Sequence, residues 1–322
     1  MMRRILTSIV VLVVLALAAF ALFVASRQHL TFKAPYPPVA ASSDPAIVER
    51  GRYLVRDVAT CASCHGDPTR RMAAASGAEV PLSGGFEWAI PPGRIYARNI
   101  TPDPETGLGQ VPDGAIARAL RDGIGADGRS LLPFMEMQRL SDDDLVAVVS
   151  YLRSLPAVRN PVPPHRFNLL GMVVKATVLA NPVGPRDTPP RVAPRGAMLE
   201  TGRYLAEAVA NCGACHTQRD PNTGATSGPA LGGSTGFEDP YDPRRSWSPP
   251  NITSDAATGR LAGFTEDTFV ARFRTGRVIP GSPMPWEGYR RMAEDDLRAL
   301  YRYLRTAPPV KRDVGPPYVD RR

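Results

Sequence analysis

Outside its N-terminus this sequence has no long stretch rich in Val, Ile and Thr, and strand-like alternation is scarce. A large sheet is therefore not expected. The 34 prolines and 28 glycines point to many loops and short helices. A basic run interleaved with aromatics is also missing. The formal charge of +8, Lys+Arg 39 against Asp+Glu 31, thus reads as a solvated basic surface and not a nucleic-acid site. Histidine and cysteine are few, four of each, so metal or redox chemistry is confined to a handful of positions.

What is present begins at the N-terminus. Ile5 to Ala25 form an apolar run broken only by Thr7 and Ser8 and preceded by Arg3 and Arg4. A bilayer core needs about 20 such residues in a helix. Secretory signals usually have a shorter apolar region of roughly 7–15 residues and a small-residue cleavage site. Ala19-Phe20-Ala21 offers such a site, but the apolar run continues past it. Residues 1–28 are accordingly read as an uncleaved anchor, with a cleaved signal as the other reading. The paired arginines keep the N-terminus in the cytoplasm. The expected location is the inner membrane, single-pass, with the body on the periplasmic side.

All four cysteines fall in two copies of one pattern, Cys61-Ala62-Ser63-Cys64-His65 and Cys212-Gly213-Ala214-Cys215-His216. This is the c-type haem attachment signature. Residues three apart share a helical face, so both thiols can reach the vinyl groups at one porphyrin edge while the adjacent histidine turns beneath the ring to the iron. A redox disulfide or half of a zinc site can also use Cys-x-x-Cys, but neither requires the following histidine. A shared four-cysteine zinc site would have to join pairs 151 residues apart. Two covalently bound haem c groups are expected, with His65 and His216 as iron ligands.

The motifs sit in longer matching segments. Glu49-Arg50-Gly51-Arg52-Tyr53-Leu54 is echoed by Glu200-Thr201-Gly202-Arg203-Tyr204-Leu205, and Asn99-Ile100-Thr101 by Asn251-Ile252-Thr253. Tyr151-Leu152-Arg153 recurs as Tyr303-Leu304-Arg305. Such a repeat implies two copies of one domain, placed at 44–158 and 195–310. Asp44 with Pro45 predicts a helix start, and Ile47, Gly51, Leu54, Val55 and Val58 trace its inner face. Asp113 to Arg121 and Thr265 to Arg274 predict middle helices. Ser141 three residues before Asp144 resembles a capping box, and Leu145, Val148, Val149, Leu152 and Leu155 form the stripe of the last helix. Leu297, Leu300, Tyr301 and Leu304 repeat that stripe, with Ala293 in place of the capping serine. Residues 159–194 are proline-dense and read as a semi-rigid linker. Within it, Phe167 to Leu179 is too short to span a membrane and is expected to pack on the domains or on a partner subunit. Each Asn-Ile-Thr matches a glycosylation pattern but is read as a structural turn.

A sixth iron ligand would separate electron transfer from chemistry on an open metal. Besides the motif histidines only His29, at the membrane exit, and His165, in the linker, remain. Methionine is the simpler expectation. Met284 precedes Pro285-Trp286, 68 residues after His216, and Met135 lies 70 residues after His65, with Met137 as its competitor. Packing is the commonest use of a methionine, and the matched placement favours ligation.

With these motifs the chain resembles tandem class I cytochromes c and is similar to cytochrome subunits of membrane-bound alcohol and sugar dehydrogenases. The resemblance implies an all-α fold, two tandem class I cytochrome c-like domains behind one N-terminal transmembrane helix. It also implies that a proline carbonyl receives the proximal imidazole, a role assigned to Pro229 with Pro81 as its counterpart. Those subunits commonly have three haem motifs where this chain has two. The expected function is an electron relay with no catalytic residue of its own. Its partners would be a dehydrogenase and a soluble cytochrome or oxidase. A di-haem peroxidase and a docking subunit of a dehydrogenase are the alternatives.

Overall fold

The computed structural model describes residues 1–220, 224–239, 242 and 244–320. Helix α1, Met2–Ser26, has no buried residue and is long and apolar enough to cross a membrane. Helix α2, Pro45–Tyr53, starts as its sequence dictates. Asp44 accepts the Ala46 amide at 2.8 Å, and Pro45 occupies the first turn. The chain then widens into a π-turn, Leu54–Val58, and enters α3, Ala62–His65, which carries the first cysteine motif. A short α4, Arg71–Ala75, follows, then α5, Asp113–Asp122, and α6, Asp142–Ser154. Ser141 accepts the Asp144 amide, and three aspartates in the first turn of α6 face its positive end.

Beyond α6, α7 (Leu169–Thr177) lies in the proline-dense stretch. The same order of elements then returns around the second motif. Helix α8, Leu199–Tyr204, passes through a π-turn, Leu205–Val209, into α9, Cys212–His216. Helices α10 (Glu266–Thr275), α11 (Trp286–Tyr289) and α12 (Glu294–Leu304) complete it. Helix α12 lacks a side-chain cap, as Ala293 implied.

In both segments the first and last helices cross so closely that a side chain cannot fit between them. A Cβ on Gly51 would come 2.0 Å from the Ala147 carbonyl oxygen, and one on Gly202 would come 1.9 Å from that of Ala299. Around these crossings lie the expected apolar stripes. Leu54, Val58, Leu145, Val149 and Leu297 are essentially inaccessible, and Leu300 and Leu304 are buried.

The all-α expectation needs correction. Strands β1 (Glu87–Ile90), β2 (Gly93–Tyr96) and β3 (Arg166–Phe167) form one antiparallel sheet, with Trp88 opposite Ile95 and Arg94 opposite Arg166. Strands β4 (Phe237–Glu238), β5 (Arg245–Trp247) and β6 (Tyr318–Asp320) form another. Two to four residues give no readable alternation, and each third strand comes from a segment remote in sequence.

The proline-dense stretch is also more than a spacer. Its β3 completes the first sheet, and Asn160 donates to the Ser83 carbonyl at 2.9 Å. Helix α7 docks at the end of α1, where Arg27 donates to Ala176 O at 2.8 Å and Gln28 to Met172 O at 3.0 Å.

Candidate functional site

A left-handed residue precedes each cysteine motif. Thr60 has φ 50° and Asn211 has φ 48°, a conformation that non-glycine residues seldom adopt. The kink lets the chain turn from the π-turn into a helix carrying two thiols and an imidazole. None of the four cysteines is in a disulfide. Burial pushes the Cys61 thiol up to about 12, helped by neighbouring Cys64, and Cys64 itself up to about 11. Burial does the same to Cys212, up to about 12, and raises Cys215. Thiols held neutral in this way are unlike the low-pKa thiolates of redox Cys-x-x-Cys pairs. Among the described residues no cluster of three or more His, Cys, Asp or Glu side chains could hold a metal ion.

Each motif histidine is held by a backbone oxygen. His65 Nδ1 lies 2.7 Å from Arg98 O, and His216 Nδ1 lies 2.9 Å from Pro250 O. A carbonyl can only accept, so Nδ1 carries the hydrogen and Nε2 keeps its lone pair. Burial lowers the pKa of both rings, against the pull of these hydrogen bonds, and so favours the neutral form. A neutral imidazole oriented through its other nitrogen suits metal ligation.

The oxygens beside the two imidazoles in this structure are therefore those of Arg98 and Pro250, where Pro81 and Pro229 were expected. The Pro81 carbonyl accepts the Asp67 amide at 3.0 Å, and that of Pro229 accepts the Gly232 amide at 3.2 Å. The residues that do the work, Arg98 and Pro250, each stand directly before an Asn-Ile-Thr turn. Asn251 Oδ1 accepts the Thr253 amide at 3.0 Å, and Asn251 Nδ2 donates to the Val310 carbonyl. Asn99 repeats the arrangement with Thr101 and Val158. Both asparagines are buried, at 2% and 1% exposure, so the glycosylation reading fails. The turn pins the preceding peptide with its oxygen towards the imidazole. The repeated Asn-Ile-Thr is the sequence signal for this role, which its reading as a turn leaves out.

The second motif opens on a cavity of about 420 Å³, lined by Cys212, Cys215, His216 and Met284 together with mostly apolar side chains. Cofactor sites span roughly 300–1,000 Å³. Two free thiols, an imidazole with an available nitrogen and a thioether around one apolar space fit a covalently held haem. Trp247, Phe273, Trp286 and Tyr289 supply flat walls, and Arg260 and Arg272 bring positive charge to the lining. The Arg272 guanidinium lies 3.8 Å from the centre of the Trp286 ring.

At the first motif Cys61, Cys64 and His65 are half-buried. Met135 lines a small pocket with Leu131, Leu132 and Val183 that none of those three residues borders. Met137 packs against the same core cluster as Cys61. His29 is exposed. His165 accepts the Tyr96 amide at 3.2 Å, and burial, with Arg98 and Lys175 nearby, drops its pKa to about 4.

Residues 48–156 match the cytochrome c family model, so the chain carries a cytochrome c domain there. It is 31% identical over 290 residues to the cytochrome c subunit of a quinone alcohol dehydrogenase from Gluconobacter oxydans. That match covers 84% of this chain and 57% of the relative. It is 30% identical to one of the subunits of nicotinate dehydrogenase from Pseudomonas putida, over 83% of this chain and 22% of the relative. A diheme c-type cytochrome from Cereibacter sphaeroides is 27% identical, over 78% of this chain and 83% of the relative. The chain thus spans little more than half of the first of these relatives and a fifth of the second.

Proposed function

From that cytochrome c domain as premise, we propose that the chain is a membrane-anchored di-haem c-type cytochrome. It consists of two cytochrome c domains, 44–158 and 195–310, joined by the stretch 159–194 and tethered by residues 1–28 on the periplasmic face of the inner membrane. It relays electrons from a dehydrogenase to a downstream soluble cytochrome or oxidase. The observation that carries this reading is the cavity in which Cys212, Cys215, His216 and Met284 converge. Cys61, Cys64 and His65 would hold the other haem.

The haem supplies reversible one-electron redox chemistry. The chain's own residues do the rest. Paired thiols retain the group, the Arg98 and Pro250 carbonyls fix the imidazoles, and the aromatic walls keep water out. Arg260 and Arg272 would offset the haem carboxylates. Arg3 and Arg4 in the first turn of α1 support the orientation, and the named dehydrogenase relatives support a dehydrogenase as donor.

The test is expression with a competent haem-attachment system, followed by haem staining on a denaturing gel and a haemochrome count. Two haems per chain are expected, one after Cys212→Ala with Cys215→Ala, and a colourless band would overturn the proposal. Reduction of the membrane-bound protein by an alcohol or sugar dehydrogenase preparation with its substrate would support a dehydrogenase donor, and no reduction by any such preparation would count against it.

A further inference from the structure

Helix α7 is turned inside out for a helix lying on a protein surface in water. Lys175, its single charged residue, is folded back onto the chain, where its ammonium donates to the Gln28 carbonyl at 2.5 Å and lies 5.6 Å from the centre of the Phe167 ring. Gly171 and Ala176 are buried, and a Cβ on Gly171 would come 2.0 Å from the Pro92 oxygen. At 3.6 residues per turn the other face carries Leu170, Val173, Val174 and Thr177, with Leu169 and Val178 at the two ends. Leu169, Leu170 and Val178 are 78%, 52% and 66% exposed. Thr177 turns its hydroxyl to the Val173 carbonyl at 2.7 Å, so even the polar residue of this face is satisfied within the helix. A surface helix in water keeps its apolar stripe on the core and its charge outside.

The occupant of this face follows from α1. Ile5 to Ala25 is 21 residues, about 31 Å of helix, which matches a hydrocarbon core of about 30 Å. The core then ends near Ala25, and Arg27 and Gln28 stand in the headgroup layer, roughly 5–7 Å deep. Those are the two residues that grip α7, Arg27 through Ala176 O at 2.8 Å and Gln28 through Met172 O at 3.0 Å. Leu170 and Val178 are each two positions from a residue held in this way. The helix is pinned at the height of the membrane surface, with its apolar face uncovered and the cations of Arg27 and Lys175 beside it, the makeup of an interfacial helix.

We propose that α7 lies in the headgroup layer of the bilayer that α1 spans, with its Leu170 face on the acyl chains, as a second membrane contact. The proposal rests on the reading of residues 1–28 as a retained anchor and goes beyond it. A body on one tether swings, and a second contact sets its tilt. Asn168, between β3 and α7, accepts the Gly171 amide at 2.9 Å and donates to the Pro91 oxygen at 2.8 Å, so the first sheet is fixed to the same surface. The second motif segment is carried along by two reciprocal contacts. The Tyr204 hydroxyl accepts the Ser141 amide at 3.1 Å and donates to Asp144 Oδ2 at 2.9 Å. The Tyr53 hydroxyl accepts the Ala293 amide at 3.1 Å and donates to Asp296 Oδ2 at 2.6 Å.

The experiment uses the unaltered full chain in lipid nanodiscs. One sample carries a diazirine on the lipid near the headgroup end of the acyl chain, and a parallel sample receives a water-soluble diazirine. After illumination the tryptic peptides are read by mass spectrometry. Peptide 5–27 reports the anchor, 167–175 reports α7, and 72–94, which begins at the exposed Met72, reports open water. Peptides 5–27 and 167–175 are expected to take the lipid-borne label and to be shielded from the water-borne one, with 72–94 the reverse. Lipid label on 5–27 together with water label on 167–175 would overturn the inference and leave the anchor standing. Shielding of 167–175 from both probes would overturn it too, since protein would then cover the face. A peptide 5–27 open to water would overturn the anchor reading and the inference with it. Leu169→Asp with Leu170→Asp, both at exposed positions, should cut the lipid-borne label on 167–175 several-fold and spare 5–27, and an undiminished label would count against the inference.

Discussion

Tyr53 donates its phenolic hydrogen to Asp296 across 2.6 Å of space and 243 positions of sequence. The same hydroxyl accepts the Ala293 amide, so a residue from the first segment holds the start of α12, which has no side-chain cap of its own. Hydrogen bonds to charged groups contribute about 1.5–3 kcal/mol. Tyr53→Phe should therefore destabilise the chain by about 2 kcal/mol in chemical denaturation. A loss below about 0.5 kcal/mol would mean that water replaces the hydroxyl at no cost.

Asp144 sits at the reciprocal contact with no exposed side-chain surface. Burial alone would raise its carboxyl, but the Arg50 fork and Arg195 more than offset this and leave the pKa below the ordinary value. A lowered folded pKa means stability that is present above the unfolded value of about 3.9 and lost as pH falls through the folded one. Melting temperature should therefore decline through the acid range below about pH 4, and Asp144→Asn should flatten that decline. At the alkaline end the sign reverses. Burial, with the Asp144 charge beside it, raises the Tyr204 hydroxyl, so its contribution holds at neutral pH and is lost as pH rises above the unfolded value of about 10.

Gly51 and Gly202 face backbone carbonyls that cannot yield as a flexible side chain would. Alanine at either position should cost about 3 kcal/mol, the upper end of overpacking, despite its better helix propensity. Circular dichroism melts of the two variants would measure this. A neutral substitution would show that the helices can separate freely.

Met284→Ala should leave the second haem attached while lowering its potential, since a thioether ligand raises it. The expected shift is a fraction of the roughly 0.8 V that axial ligation spans across haem proteins. Redox titration followed at the haem bands would detect it, and an unchanged potential would exclude Met284 as ligand.

Much of this architecture was legible in the sequence because it rests on short-range signals. Asp44-Pro45 and Ser141 mark helix starts, and the leucine and valine stripes of α6 and α12 mark inner faces. The sheets escaped because β3 and β6 are two and three residues long and pair with strands remote in sequence. The histidine partners escaped for a different reason. The motif positions the imidazole, but the direction of the Arg98 and Pro250 carbonyls is set by buried Asn-Ile-Thr turns some 33 and 34 residues on.

The exchanged grip of Tyr53 and Tyr204 has a consequence for conduction. Each lobe closes the other's final helix, so neither can swing on the intervening stretch as a loose bead would. On the di-haem proposal, the gap an electron would cross from one centre to the other is then a property of the folded chain, and passage between them would not wait for the lobes to find each other by diffusion.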